Sequence, residues 1–181
     1  ADGDVYEGEW HANEAHGSGM YAHKDGSRYM GAWKHDKQNG HGVEVWCDGT
    51  RYDGQYQDGQ KHGRGKSAWA KGSSYEGEFH TNQLHGQGEY KWEDGRRYTG
   101  QWVFNQMHGR GLFDWPDGRR YEGEYADDKK HGHGIFTWPD GHTYDGQWRE
   151  GRQHGSGVSC FGENKRMVGE WNEGTRVRWV S

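Results

Sequence analysis

One stretch of the sequence carries several residue types that do chemistry in other proteins. Residues 121–134 read YEGEYADDKKHGHG, with paired carboxylates at Glu122 and Glu124, histidines at His131 and His133, and glycines among them. Carboxylates and imidazoles bind metal ions, paired carboxylates hydrolyse glycosides, and glycine-rich loops at helix N-termini bind phosphate. The same arrangement recurs along the chain, so its meaning depends on the elements that the repeats form.

The sequence repeats every 23 residues without an insertion. Tyrosine stands at residues 6, 29, 52, 75, 98, 121 and 144, and Met167 takes the eighth place. If this residue is position 0 of its repeat, position 2 is glycine, position 4 is an aromatic ring, and positions 10, 11 and 13 usually read His-Gly-x-Gly. The rings at positions 0 and 4 form a predicted aromatic row of Tyr6, Trp10, Tyr29, Trp33, Tyr52, Tyr56, Tyr75, Phe79, Tyr98, Trp102, Tyr121, Tyr125, Tyr144, Trp148 and Trp171.

Each repeat is predicted to form a β-hairpin. The alternation in Y-x-G-x-W places both rings and the glycine on one face of a strand, and GxGxxxW alternates in the same way. Position 7 is Asn, Asp or Gly in every repeat, which indicates a left-handed turn residue. We expect position 0 to lie opposite position 17, and position 4 opposite position 13, so that rings pack on glycine backbone. The fold class is therefore all-β, an elongated, twisted, rod-like single antiparallel sheet of roughly 75 Å.

The pattern Y-x-G-x-W-x-x-G-x-x-H-G-x-G resembles the MORN repeat family, and YDGQYQDGQKHGRG at 52–65 matches it closely. The resemblance implies a binding or scaffold array, with a partner helix in a groove, homodimerisation and a proposed affinity for phospholipids. We expect a tail of a truncated preceding repeat over 1–5, seven repeats over 6–166, and a partial eighth repeat with a C-terminal cap over 167–181. The chain thus resembles the C-terminal piece of a cytoskeletal scaffold made only of MORN repeats.

The composition agrees with a thin core made of rings. Hydrophobic residues are 29% of the chain, against about 45–50% in ordinary globular proteins, whereas aromatic residues reach 15%. A net charge of −5 with interspersed signs lacks the basic footprint of a nucleic-acid-binding protein. The two distant cysteines form no CxxC pair, and no apolar run approaches 18 residues. We therefore expect a cytoplasmic location without a nucleic-acid partner.

The chemical motifs are better explained by structure than by catalysis. Histidines at position 10 would stand roughly 10 Å apart on successive hairpins, too far to share one metal ion. The remaining metal hypothesis is a site between two chains that uses Cys160 and His154. No helix follows the His-Gly-x-Gly segments, and the Glu122/Glu124 pair recurs on an exposed face. The sequence therefore predicts no enzyme and no cofactor.

Three binding hypotheses remain open. The leading one is a non-catalytic scaffold for cytoskeletal or membrane-associated proteins, in which the aromatic row supplies anchors and Leu84, Val103, Phe104 and Met107 supply an apolar patch. The second is homodimerisation through the C-terminal repeats, where a sheet edge is unpaired. The third is anionic-lipid or phosphoinositide binding at a membrane by the position-22 arginines Arg28, Arg51, Arg97, Arg120 and Arg166, although an aspartate three residues before most of them reduces the charge. The chain could also be the accessory region of a larger lipid kinase or methyltransferase.

Overall fold

The structure, a computed structural model, describes residues 3–162 and 165–181. Its regular elements are sixteen antiparallel strands of one sheet, in the order of the sequence. The strands are β1 Val5–His11, β2 Glu14–Ala22, β3 Arg28–Lys34, β4 Lys37–Val45, β5 Arg51–Gln57, β6 Gln60–Ala68, β7 Ser74–His80, β8 Gln83–Lys91, β9 Arg97–Val103, β10 Gln106–Asp114, β11 Arg120–Ala126, β12 Lys129–Thr137, β13 Thr143–Arg149, β14 Arg152–Phe161, β15 Lys165–Asn172 and β16 Thr175–Trp179. The prediction of an all-β sheet of tandem hairpins is confirmed.

The chain divides into two compact units, which are described separately. Unit 1 spans residues 1–93 and holds β1–β8, and unit 2 spans residues 94–181 and holds β9–β16. Residues 1 and 2 of the predicted N-terminal tail lie outside the described residues, as do residues 163 and 164.

Each hairpin closes through a two-residue turn at positions 6 and 7. Both residues have positive φ, for example 51° at Ala12 and 66° at Asn13 in unit 1, or 48° at Asp127 and 65° at Asp128 in unit 2. This geometry is that of a type I′ turn, whose twist matches the twist of the flanking strands. The left-handed conformation predicted at position 7 is confirmed, and position 6 shares it even where the residue is Thr81 or Phe104.

The predicted pairing register is wrong by two residues at position 0 and by four residues at position 4. Position 0 lies opposite position 15 rather than 17, and glycine at position 2 lies opposite glycine at position 13, as in Gly54↔Gly65. Trp102 lies opposite Met107, not Gly111. The turn is only two residues long, and a β-bulge between Gly54 and Tyr56 then shifts the register. The second residue of the His-Gly-x-Gly segment allows this bulge because it has positive φ.

A tyrosine side chain covers each facing pair of glycines. In β5, a Cβ placed on Gly54 would lie 2.5 Å from Gly65 Cα, and a Cβ on Gly65 would collide with the Tyr52 ring. The Tyr52 hydroxyl donates a hydrogen bond to the Gln55 carbonyl at 2.9 Å. The same bond, from position 0 to the position 3 carbonyl, joins the residue pairs 6/9, 29/32, 75/78, 98/101, 121/124 and 144/147. Rings therefore rest on bare backbone as expected, but the glycines lie under the position 0 ring.

The same tyrosines connect neighbouring repeats. In unit 1, the Tyr29 ring makes edge-to-face contacts with Trp33 of its own repeat and Tyr56 of the next, both at 5.2 Å. In unit 2, Tyr121 makes the corresponding contacts with Tyr125 and Trp148, again at 5.2 Å. Such pairs contribute about 0.5–1.5 kcal/mol beyond the area that they bury. The core of each unit is thus a continuous ladder of perpendicular rings.

Hydrogen bonds at the hairpin turns also join successive repeats. The Asp128 backbone N–H donates to the Met107 carbonyl at 3.0 Å, and the Asp128 side chain accepts from the Met107 N–H at 2.8 Å. Asp36 makes the same two bonds with Ala15 in unit 1. Position 7 therefore favours Asp and Asn because they combine a left-handed backbone with an acceptor for the preceding repeat.

A second turn links one repeat to the next. In unit 2, the Gly118 N–H donates to the Trp115 carbonyl at 3.0 Å, and Asp117 accepts from the Arg119 N–H at 3.1 Å. These turns fix where each strand begins. They therefore determine which side chains lie on the same face of the sheet as the aromatic row, which we name the ring face.

The predicted C-terminal cap residues form β15 and β16, where Trp179 packs edge-on against Trp171 at 5.8 Å.

Candidate interaction surface

The predicted aromatic row forms the core of the ring face. All its members except Tyr6, Trp10 and Trp33 are buried, and the tyrosines at residues 52, 75, 98, 121 and 144 have no exposed surface. The structure brings these rings together as the ladder described above. Because they are covered, their direct contribution to a partner interface is small, whereas Trp10 keeps 60% of its surface exposed.

A second set of rings lies outside this core and is only half-buried. These are the tryptophans at position 17, which begin the turn between repeats: Trp46, Trp69 and Trp92 in unit 1, and Trp115 and Trp138 in unit 2. Trp115 packs on Phe113 at 4.3 Å, and Trp138 packs on Phe136 at 4.5 Å. We name the five the outer tryptophans. The sequence pattern showed their recurrence, but only the register shows that they flank the buried ladder.

Two lysines at position 9 also lie on the ring face. In unit 1, Lys61 Nζ is 4.5 Å from the centre of the Trp46 ring. In unit 2, Lys130 Nζ is 4.4 Å from Phe136 and 4.8 Å from Trp148. Sequence analysis did not single out these lysines, because residues at position 9 vary widely between repeats.

The residues of the predicted apolar patch differ in exposure. Leu84, in unit 1, is buried at 8% exposure. In unit 2, Met107 is half-buried, whereas Val103 and Phe104 are exposed at the hairpin turn. The burial of Leu84 means that it stabilises unit 1 instead of offering a contact surface.

The paired carboxylates have separate structural roles. Glu124 accepts a hydrogen bond from the His133 backbone N–H at 3.1 Å, which caps the bulge. Glu78 in unit 1 makes the same bond with the Gln87 N–H. Glu122 is exposed and lies 3.8 Å from Arg120. The expectation of a simple solvated face therefore holds for Glu122 but not for Glu124.

Some of the histidines, including His154 of the position 10 column, lie near acidic side chains at the surface. His133 Nε2 lies 2.8 Å from Asp145, and His154 Nδ1 lies 3.6 Å from Glu173. Cys160 lies six positions after His154 in β14, which corresponds to roughly 20 Å along the strand. These two side chains therefore cannot share a metal ion within one chain, and the described residues contain no cluster able to hold one.

Two of the aspartates expected to neutralise the position-22 arginines bind the arginine at position 21. Asp94 binds Arg96 at 2.7 Å, and Asp117 binds Arg119 at 2.8 Å. Arg97 and Arg120 share Asp114, at 2.9 and 3.9 Å, and Arg51 pairs with Asp53. Arg28 and Arg166 are exposed. The row is thus partly neutralised, but by acids of the strands rather than of the turn.

Comparisons with known proteins identify the repeats. The family model for the MORN repeat matches residues 6–28, 29–51, 52–74, 75–96, 98–119, 121–143 and 144–164. The chain belongs to the MORN repeat family. No curated protein sequence matches this MORN-repeat chain. No segment of its described residues forms an apolar helix of membrane-spanning length.

Among solved structures, the MORN-repeat chain is similar to the TCP10c domain of Drosophila melanogaster Sas-4. Sequence identity is 10%, coverage is 86% of this chain and 93% of that one, and the TM-score is 0.48. The TCP10 domain of Danio rerio CPAP, in complex with a STIL peptide, is similar with 13% identity, 98% coverage of both chains and a TM-score of 0.34. At such scores these similarities carry no argument about function.

The buried tyrosines make the stability of the protein sensitive to alkali. Burial raises the pKa of Tyr29 and Tyr144 from 10.0 to about 12, with further contributions from Glu44 and Asp145 respectively. Burial likewise raises the pKa of Tyr52 and Tyr121. The folded state therefore holds protons that the unfolded state releases above pH 10.

We accordingly predict that stability is intact below pH 10 and falls steeply as the pH rises towards 12. Burial lowers the pKa of Lys130 to about 8 and also lowers that of Lys61, which acts in the opposite direction below pH 10.5, but these are two groups against the larger set of buried tyrosines. Tyrosinate absorbance and circular dichroism, recorded together along an alkaline titration, should change in one cooperative step. Ionisation of the buried tyrosines near pH 10 with an unchanged sheet signal would contradict the prediction.

Proposed function

We propose that this chain is a non-catalytic protein-interaction module that binds its partner on the ring face through the outer tryptophans. The observation that carries the proposal is their half-burial, which leaves part of each ring open to solvent. Large rings bury roughly 150–250 Å² each and are enriched among the residues that dominate interface energetics. Membership of the MORN repeat family supports the same role.

The titratable groups of the repeats support the non-catalytic part of the proposal. Glu124 is engaged by a backbone N–H, and His133 and Asp145 form an exposed surface pair. Catalytic acids and bases are instead usually held in water-excluding clefts that shift their pKa values. The polar residues that recur in the repeats therefore stabilise the hairpins.

A tryptophan double variant tests the proposed surface. The wild-type chain and the Trp115→Ser/Trp138→Ser variant are each incubated with a cell extract, and the retained proteins are quantified by mass spectrometry. We expect the variant to retain the partner proteins of the wild type in amounts at least roughly tenfold lower. The matched control is Ile135→Ser, which changes an apolar side chain that is 40% exposed and lies three residues before Trp138 in unit 2. Circular dichroism must show that both variants are folded. Equal retention by the wild type and the folded tryptophan variant would contradict the proposal.

Homodimerisation through the C-terminal hairpin is a second candidate function. In the described residues, β16 pairs with β15 on one side only, and Val177 and Val180 are 63% and 58% exposed. An open edge strand with exposed apolar side chains favours pairing with a second copy. Cytoskeletal association, an accessory role in a larger enzyme and lipid binding stay predictions, and the pairing of Arg97 and Arg120 with Asp114 weakens the last.

The dimer hypothesis predicts a concentration-dependent mass. Light scattering should show the wild-type chain passing from monomer to dimer as its concentration rises, whereas Val177→Asp should remain monomeric because it places a charge on the exposed edge. A wild-type chain that stays monomeric at every concentration would exclude the dimer.

A further inference from the structure

Lys61 and Lys130 occupy the same position of different repeats but meet different surroundings. Both follow the hairpin turn at position 9, and both lie opposite a position 4 tyrosine, Tyr56 and Tyr125 respectively. Each is half-buried with its ammonium group over aromatic rings. The pair therefore allows a comparison within one chain.

Lys61 has an acidic neighbour. Glu44 is at position 15 of the preceding repeat and accepts a hydrogen bond from the Tyr56 hydroxyl at 2.7 Å. Burial lowers the pKa of Lys61, whereas the Glu44 carboxylate raises it. Position 15 of its own repeat is Ser67, another polar residue. The charge of Lys61 is thus partly compensated from within the protein.

Lys130 has rings where Lys61 has these polar groups. Phe113 stands at the position equivalent to Glu44, and Phe136 at the position equivalent to Ser67. Its ammonium group lies 4.4 Å from Phe136, 4.8 Å from Trp148, 5.1 Å from Trp115 and 5.2 Å from Tyr121. We name these four rings the Lys130 ring cluster.

In the part of the chain that the structure describes, the charge of Lys130 has no anionic partner among the groups that act on it. Burial and the nearby Arg119 guanidinium lower its pKa to about 8. Arg119 is itself paired with Asp117 at 2.8 Å and lies over the Trp115 ring at 5.4 Å. Cation–π contacts offset part of the desolvation of an ammonium group, but an unpaired, partly buried charge remains unfavourable. An external carboxylate would complete this site.

We infer that the Lys130 ring cluster is a binding subsite for the carboxylate of an acidic side chain, carried by a partner peptide with apolar residues on either side. The carboxylate pairs with the Lys130 ammonium, and the flanking apolar residues pack on Trp115 and Trp138. The inference rests on the proposed function, since it specifies the chemistry of the partner for that surface.

The surroundings favour a peptide carboxylate over a membrane or a nucleic acid. Anionic lipid surfaces are bound by clusters of roughly 4–8 basic residues, and the chain has a net charge of −5. The Lys130 subsite offers one ammonium between rings, with Arg119 already paired to Asp117. One cation bordered by apolar surface fits one acidic side chain bordered by apolar side chains.

Selection from a random dodecapeptide library displayed on phage tests the inference. The full chain is immobilised as wild type, Lys130→Met, Lys130→Arg and the matched control Lys61→Met, each checked by circular dichroism. We expect the wild type, Lys130→Arg and Lys61→Met to enrich peptides with an Asp or Glu between apolar residues. Lys130→Met should enrich apolar peptides without this acidic preference, because it keeps an apolar chain in the ring cluster.

The affinity of one selected peptide then measures how much its carboxylate contributes to binding. The wild type should bind the Glu→Gln version of this peptide at least roughly tenfold more weakly than the Glu version. Lys130→Met should bind the Glu→Gln version at least as tightly as the Glu version. Enrichment of apolar peptides without an acidic preference in the wild type would overturn this inference and leave the proposed function standing. Failure to enrich any peptide that depends on Trp115 and Trp138 would overturn both. Lys130-dependent binding of phosphatidylserine vesicles without binding of acidic peptides would also overturn the inference.

Discussion

The fold depends on a tyrosine ring lying across two glycines that face each other on adjacent strands. Neither glycine can carry a side chain. A Cβ on Gly65 would collide with the Tyr52 ring, and a Cβ on Gly54 would lie only 2.5 Å from Gly65 Cα. The ring therefore packs directly on backbone, and its hydroxyl reaches the Gln55 carbonyl. One contact thus buries a tyrosine completely, satisfies its hydroxyl group and fixes the register of the hairpin.

Repetition of this contact explains how so polar a chain forms a core. Within each unit, tyrosines such as Tyr29 and Tyr121 are held between the position 4 rings of their own and the next repeat, so that each of these tyrosines joins two successive repeats. Backbone and Asp or Asn side chains join the turns of successive repeats in parallel with the rings. Stability in such an array is a sum over nearest-neighbour contacts. The residue at position 9 can then differ from repeat to repeat without loss of the ladder.

Much of this architecture could be predicted from the sequence, because the period, the alternation and the turn residues are all local signals. The register could not, since it depends on whether residues 62–64 form part of a loop or a bulge opposite Gln55. The sequence predicted that the position 3 carboxylates are solvated. Their hydrogen bond to a backbone N–H nine residues later could not be predicted, because it depends on the bulge. The different surroundings of Lys61 and Lys130 could not be predicted from the sequence either. The difference follows from the Glu44 carboxylate, which acts on Lys61 from the preceding repeat, and from the rings that surround Lys130.

A double-mutant cycle on Tyr52 and Gly65 tests the central contact most directly, with the free energy of unfolding measured by denaturant titration. Gly65→Ala should destabilise the wild type by about 1–3 kcal/mol, because the new methyl group overlaps the ring. In the Tyr52→Leu background the same change should cost much less, so the two substitutions should be strongly non-additive. Arg64→Ala, at the exposed neighbouring position, should be nearly neutral in both backgrounds. Additive effects of Gly65→Ala and Tyr52→Leu would contradict the account.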